Sequence, residues 1–416
     1  MLKKRTFVCF LNLMKNRKAA IGFILVTVLV DVIGVGIIIP VVPALITELT
    51  GGSISDASIW GGWLMFAYAL MQFVCAPIVG ALSDQYGRRP VLLLSLLGFG
   101  LDYILAGFAP TLGWLFLARI VAGITGASFT TANAYIADIS APEKRSQNFG
   151  MVGAAFGLGF IVGPLIGGVL GEYGSRVPFF ASAGLVLLNW LYGYFVLPES
   201  LSKENRRPFS WRRANPWGTL MQLKKYPMVI GLLVSLVLVY IAAHATQSTW
   251  TYFTIEKFDW SEAEVGYSLA FVGFMIALVQ GVAVRPIINK IGQARGVYVG
   301  LAFNCLGFIL IAMSGTGWML YLVLIPYAFG GIAGPSLQGL MSNSVPANEQ
   351  GELQGGLTSL MSLTTVVGPP LMTNIFGYFT DASREVYIPS APFYLAAVFS
   401  FTAMLMSYRF LKGRSA

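Results

Sequence analysis

Apolar and polar positions alternate along this chain in blocks of about twenty residues, the length of helix that crosses some 30 Å of hydrocarbon. Apolar runs fall near residues 20–46, 59–82, 90–109, 113–136, 148–171, 178–197, 227–253, 264–287, 296–314, 317–341, 352–376 and 391–411. They predict an all-α integral membrane protein with twelve transmembrane helices. Polar residues are confined to short gaps, with one long exception at 198–226, which divides the runs six and six. The predicted organisation is an N-terminal six-helix bundle over 1–197, a cytoplasmic linker over 198–226 and a C-terminal six-helix bundle over 227–416.

Charge adds an orientation. Of 416 residues only 11% are charged, against about 25% in soluble domains, and the net charge is +9. That excess would fit a nucleic-acid partner if it formed one basic face. Instead the 27 Lys and Arg alternate from gap to gap: 6 precede the first run, 2 follow the second, 2 follow the fourth, 7 sit in the linker, 3 lie around the eighth-to-ninth gap and 3 at the C-terminal end. Only Arg176, Lys257 and Arg384 fall on the opposite side, and Arg119 lies within a run. The positive-inside rule places both termini in the cytoplasm, makes the lipid bilayer the partner and argues against nucleic acid. The basic start, Lys3-Lys4-Arg5, has the look of a signal peptide, but the run after it lacks a small-residue cleavage site, so it is expected to be retained. Cys9, Cys75, Cys305 and the single His244 offer no ligand spacing, so no metal and no cofactor are expected. Motifs of membrane enzymes or of channel filters are missing, which argues against both classes.

The halves repeat. Gly163-Pro164 recurs 205 positions later as Gly368-Pro369, Asp84 meets Asn289 and Gly87 meets Gly292 at the same offset, and Gly123-Ile-Thr-Gly126 is echoed 208 positions on by Gly331-Ile-Ala-Gly334. Two homologous bundles suit alternating access to a site between them.

Polar groups at membrane depth are the sharpest functional hints, because an ionised residue there costs about 2.5–3.5 kcal/mol. Asp31 in the first run and Asp102 in the third lie about 16 Å in, close to the midplane. Both must face the protein interior, where a carboxyl can exchange protons. Arg119 shares a helix face with Gly123 and Gly126 and brings a fixed cation to that depth. His244, Gln247, Ser248 and Thr251 follow the i, i+3, i+4, i+7 rule and predict one polar stripe. Asp31, Asp102, Arg119 and His244 are the candidates for proton coupling; Gln72, Asn133, Gln247, Gln280, Asn304 and Gln338 are candidates for lining a cavity, though a single intramembrane amide also serves as helix glue. Gly80-Ala-Leu-Ser-Asp84-Gln-Tyr-Gly87-Arg88-Arg89-Pro90 reads as a tight charged turn, with Gly80 for close helix approach, Asp84 either capping a helix start or pairing with Arg88 or Arg89, and Gly87 for the positive φ of a reversal. Its counterpart Arg285 to Arg295 lacks the acid, so two gates of unequal strength are expected.

The turn, G-x-L-x-D-x-x-G-R-R-x-x-L, resembles the signature loop of the major facilitator superfamily of secondary transporters, and Gly159 to Gly168 resembles the antiporter motif of its drug exporters. Asp31-Val-Ile-Gly-Val-Gly with Pro40, Leu101-Asp102-Tyr103, Arg119 with Gly123 to Ala127, Ile136-Ala-Asp138 and Leu337-Gln338-Gly339 are similar to the tetracycline/proton antiporter group. The resemblance implies a monomeric exporter of amphipathic small molecules in a bacterial inner membrane, driven by protons. It also implies that Asp31 and Asp102 are the working acids, that Arg88 pairs with Asp138 at a cytoplasmic gate, and that Gln280 and Gln338 face substrate; Asp84, Gly87, Arg89, Gly163 and Pro164 are the further gating candidates. Ile276 and Asn304 depart from the histidine and acid of the better-known members. A carrier for one metabolite, such as a sugar, peptide or siderophore-like compound, is the alternative expectation.

Overall fold

The computed structural model describes residues 21–126, 128–140, 144–209, 227–346 and 350–411. The expectations for Lys3, Lys4, Arg5 and Cys9, and for the linker beyond Phe209, lie outside the described residues. Those residues form helices α1 (Ile21–Ile38), α2 (Val42–Thr50), α3 (Ile54–Tyr86), α4 (Arg88–Gly107), α5 (Leu112–Thr125), α6 (Ser128–Ile139), α7 (Arg145–Gly171) and α8 (Val177–Val196) before the linker. After it come α9 (Pro227–Phe258), α10 (Glu262–Leu278), α11 (Val284–Ile291), α12 (Gln293–Met313), α13 (Gly317–Phe329), α14 (Ala333–Ser342), α15 (Gln350–Thr380) and α16 (Ala391–Leu411). No strand occurs among the described residues.

Ten helical spans among the described residues are long and apolar enough to cross a membrane. Two of the expected runs are not among the ten. The run over 113–136 is carried by two shorter helices, α5 and α6, and the run over 352–376 lies within α15, whose apolar character is diluted by Gln354, Thr358, Ser359, Thr364 and Thr365. The first run is also interrupted: Ile39 to Val41 form a turn at Pro40, and a separate helix follows. A proline removes a backbone donor and crowds the preceding turn, so an apolar run through it does not remain one helix. The outward surface matches the lipid setting, with Leu188, Leu191, Tyr194 and Phe195 of α8 all exposed.

Local chemistry starts the long helices in the same way in both halves. Ser53 accepts from the Asp56 backbone N–H while Asp56 accepts from that of Ser53, a reciprocal cap that opens α3; Ser261 and Glu264 do the same for α10. The α3–α4 and α12 boundaries are each a single glycine. Gly87 has φ 108° and ψ 160°, Gly292 has φ 81° and ψ 161°, a region open to glycine and closed to side chains with a Cβ. The charged turn is accordingly shorter than the sequence suggests. Gly80 to Tyr86 stay helical, Gly80 stands in open space rather than at a helix crossing, and Gly87 alone reverses the chain.

Close crossings join the elements around the midplane. On α7, Gly159 lies against Val32 and Gly163 against Gly36, where an added Cβ would stand 2.7 Å from Val32 Cβ and from Gly36 Cα respectively. Gly153 and Gly157 on the same helix face open space. The two halves meet at the end where α3 and α10 begin. Ser55 Oγ donates to Thr380 Oγ1 (2.7 Å) and Ser58 Oγ to the Thr373 carbonyl (3.3 Å), Tyr252 packs on Gly61, and Gly168 lies against Ala263 and Gly266. Every one of these contacts pairs an α3 or α7 residue with the second half.

The three basic residues that stray from the positive-inside pattern also have structural work. Arg176 donates to the carbonyls of Gly107 and Ala109 at the end of α4, both at 2.9 Å, and Lys257 to that of Ala312 at the end of α12 (3.1 Å). Arg384 pairs with Asp381 at 3.6 Å. Cations at helix C-termini satisfy orphan carbonyls and the helix dipole.

Candidate functional site

Asp102 is the most enclosed charge among the described residues, with none of its surface exposed. It sits on α4 among Phe99, Tyr103 and Ala106, and one of its oxygens, Oδ2, accepts from Arg119 Nη2 on α5. Its other oxygen, Oδ1, is buried without a hydrogen-bond partner. A buried carboxylate with half of its acceptors unused is costly unless something else occupies them for part of the time. Arg119 is held in place by the backbone: Gly123, one turn on, packs against Met71 and Gln72 of α3, and the amide of Gln72 donates to both the Gly126 carbonyl (3.0 Å) and the Tyr68 hydroxyl (3.1 Å). Asp31 on α1 is partly buried, and its charge bears on the Tyr68 and Tyr103 hydroxyls together with those of Asp102 and Arg119. Asp31, Asp102, Arg119 and Gln72 are therefore brought together in the first half.

The expected polar stripe of α9 divides. His244, Ser248 and Thr251 are buried, while Gln247 is exposed. The His244 ring lies against the bare backbone of Gly368 in α15, with Nδ1 buried and without a hydrogen-bond partner. At the offset of 208, His244 occupies the place of Gly36, and each meets the glycine of a Gly-Pro pair. His244 thus packs within the second half, whereas the Asp102–Arg119 pair belongs to the first. Among the amides, Gln338 donates to the Tyr240 hydroxyl (3.1 Å) and Asn304 to the Gly330 carbonyl (3.4 Å), each tying two helices. Gln280 is exposed within a π-turn, Val279–Ala283, that interrupts the helix between α10 and α11, and Asn133 is half-buried on α6.

A second cluster lies at the α3–α4 turn. Arg88 is buried and reaches Asp84 Oδ1 (2.6 Å), Asp138 Oδ2 (3.1 Å) and Ser83 Oγ (2.6 Å). Glu199 was not among the expected site residues. Its carboxylate accepts from the backbone N–H groups of Arg88 (2.8 Å) and Arg89 (3.3 Å), the first free donors of α4, and so supplies the cap that Gly87 cannot. Arg89 donates to the Tyr194 carbonyl at 2.7 Å. The linker continues along the turn, where Arg207 N donates to the Asp84 carbonyl (3.1 Å) and Phe209 N to Gln85 Oε1 (3.2 Å). A Pro-Glu pair directly after an apolar run, facing a helix that starts with no cap of its own, is the signal that would have found Glu199.

The major facilitator superfamily model matches residues 24–355 and, in a second register, 232–416. The chain belongs to the major facilitator superfamily. Within it, the chain is 41% identical to tetracycline resistance protein class C of Escherichia coli, over 87% of this chain and 91% of that one. It is 36% identical to the class H protein of Pasteurella multocida over 87% and 90%. Multidrug resistance protein 2 of Bacillus subtilis follows at 28%, over 86% and 88%. Among solved structures the fold is shared with the nucleoside transporter NupG (TM-score 0.78, 12% identity, 94% of this chain and 99% of that one). It is shared too with a bacterial homologue of the lysosomal transporter Spinster in an inward-facing, unoccupied conformation (TM-score 0.74, 16% identity, 96% and 99%). The superfamily's members here are multi-pass membrane transporters, not enzymes, and the chain is one of them.

Proposed function

We propose that this protein is a proton-coupled secondary transporter that exports tetracycline-like or other amphipathic organic compounds by alternating access, without a cofactor. The observation that carries this reading is Asp102, wholly buried in a membrane helix with one oxygen on Arg119 and the other unpartnered. A fixed guanidinium holds the acid ionised until a proton competes for it, and either exchange changes the charge of a site that water reaches only when a bundle swings. Asp31 is the second acid of this site. Gln72, Asn133, Gln280, Asn304 and Gln338 are read as polar wall positions for substrate, and the exposed Gln247 is the weakest of the set. His244, with an open Nδ1, is kept as a second titrating position in the other half.

The twelve-span topology, six and six with both termini cytoplasmic, is the arrangement we favour, with α5 and α6 as one broken span and α15 as another. In that orientation the contacts of α3 and α7 with the second half close the outer face, so the state described opens inward. Drug then enters from the cytosol or inner leaflet, leaves on outward opening, and protons load Asp102 before return. Each elementary charge carried inward across 100 mV supplies about 2.3 kcal/mol. Arg88, with Asp84, Asp138, Gly87 and Arg89, is the cytoplasmic gate, and Gly163-Pro164 is the close crossing about which α1 and α7 hold together. We place the transporter in a bacterial inner membrane as a monomer.

Reconstituted protein with a pH-sensitive dye inside the vesicles tests this reading, using tetracycline and a panel of lipophilic cations. Compound-dependent proton movement in the wild type, lost in Asp102→Asn while binding persists, is the expected result. Full gradient-driven transport by Asp102→Asn would remove the assignment. A wild type silent across the panel would favour a metabolite carrier, the reading to which Asn304 and Ile276 lend weight.

A further inference from the structure

The site contains two tyrosines that were not among the expected site residues, and one of them has its hydrogen-bonding state set by a neighbour. A phenol oxygen both donates and accepts. At Tyr68 on α3 the accepting side is occupied by the Gln72 amide at 3.1 Å, and that amide is itself anchored on the Gly126 carbonyl at 3.0 Å. The phenolic proton must therefore point elsewhere. The charges of Arg119 on α5, Asp102 on α4 and Asp31 on α1 bear on this hydroxyl. Tyr103 is close to the backbone of Gly34, where a Cβ would be 3.3 Å from its hydroxyl, and the same three charges bear on it. The only acceptor of the Asp102–Arg119 pair left without a partner is Asp102 Oδ1.

We propose that Tyr68 is a positioning residue for the coupling acid: held by Gln72 with its proton turned toward the carboxylates, it donates to Asp102 when Arg119 releases the acid. This rests on reading Asp102 as the coupling acid. Its consequence is that the Arg119 grip need not be replaced by water for the carboxylate to stay ionised within the membrane, and that the step is governed by α3, the helix whose outer end closes the two halves. Tyr68 neither loses nor gains a proton in this role.

The test is an infrared pH titration of purified protein in detergent, comparing wild type, Asp102→Asn, Tyr68→Phe and Gln72→Leu. The protonated-carboxyl band missing from Asp102→Asn identifies the Asp102 signal. Removal of a hydrogen bond to a charged group should displace the midpoint of that band in Tyr68→Phe by about one pH unit, and Gln72→Leu, which frees the hydroxyl to turn, should displace it in the same sense by less. A midpoint identical to wild type in folded Tyr68→Phe overturns the role of Tyr68 while leaving the functional reading in place. If Tyr68→Phe fails to fold, an unchanged midpoint in Gln72→Leu overturns it instead. A wild type with no Asp102 band at any pH overturns both.

Discussion

The turns around Gly87 and Gly292 have nearly the same backbone and opposite chemistry. Both glycines sit 205 residues apart with ψ of 160° and 161° and reverse one long helix into the next. In the first, Arg88 is clasped by Asp138 at 3.1 Å; at the equivalent positions of the second, Gln293 accepts from Asn343 Nδ2 at 3.0 Å. Residue for residue, a guanidinium–carboxylate pair has become an amide pair in the same place. Asp84 is matched by Asn289 at the same offset. Duplication has thus kept the geometry and let the charge go. A charge-assisted hydrogen bond is about twice as strong as a neutral one, so the first turn is the firmer of the two, and its ion pairs answer to their surroundings in a way that amides do not.

The largest test of that contrast is to convert one turn into the other. Arg88→Gln leaves Asp84 and Asp138 without their shared cation in a part-buried site, and should lower stability by about 3 kcal/mol, read by chemical unfolding in detergent. Adding Asp138→Asn installs the amide pair of the second turn and should recover more than half of the loss. A double variant no more stable than Arg88→Gln would show that the two turns are not interchangeable and that the geometry of the first depends on its charge.

A smaller effect separates backbone from side chains. Gly87→Ala and Gly292→Ala meet the same forbidden conformation, for which about 1–3 kcal/mol is typical. Around Gly292 there is open space, whereas a Cβ on Gly87 would press on the Glu199 carboxylate and stand 2.9 Å from Arg206 Nη2. Gly87→Ala should be the more destabilising in the same unfolding assay, and the excess measures how firmly the linker is seated on the turn. Equal losses would mean that Glu199 and Arg206 yield freely.

Much of this was written in the chain, and the misses have physical causes. Twenty-residue apolar runs and the 205-residue echo announce a helical membrane protein with an internal repeat, because lipid allows few other solutions. The Gly-Pro echo located two close crossings, Gly36 on Gly163 and His244 on Gly368. What hydropathy cannot show is which side of a helix faces protein. It made one stripe of His244 and Gln247, of which the first is buried and the second exposed, and gave Gly80 a crossing that it does not make. Nor does it show a cap supplied from 111 residues away, as Glu199 supplies Arg88. The Gln293–Asn343 pair, by contrast, was within reach, since carrying Arg88 and Asp138 forward by the offset already found lands on both.

The smallest prediction carries the comparison to the other end of the same helices. Arg176 and Lys257 cap the carbonyls that end α4 and α12, at Gly107 and at its 205-residue equivalent Ala312, but only Arg176 also holds an acid, Glu48 Oε1 at 3.1 Å. The hydrogen bond from Ser175, and after it the Arg176 guanidinium, hold the Glu48 carboxyl below its ordinary 4.5. A group depressed in the folded state adds stability above its unfolded value and loses it as pH falls through the folded one. Glu48 is half exposed, so solvent screens the pair to well under about 1 kcal/mol. Glu48→Gln should therefore be slightly less stable than wild type at neutral pH, with the gap closing below about pH 4.5 and shrinking in high salt. Lys257→Met, which removes a cap without an acidic partner, should show a loss that does not vary over that acid window. Equal acid dependence in the two variants would mean that the outer caps, unlike the inner turns, do not differ in kind between the halves.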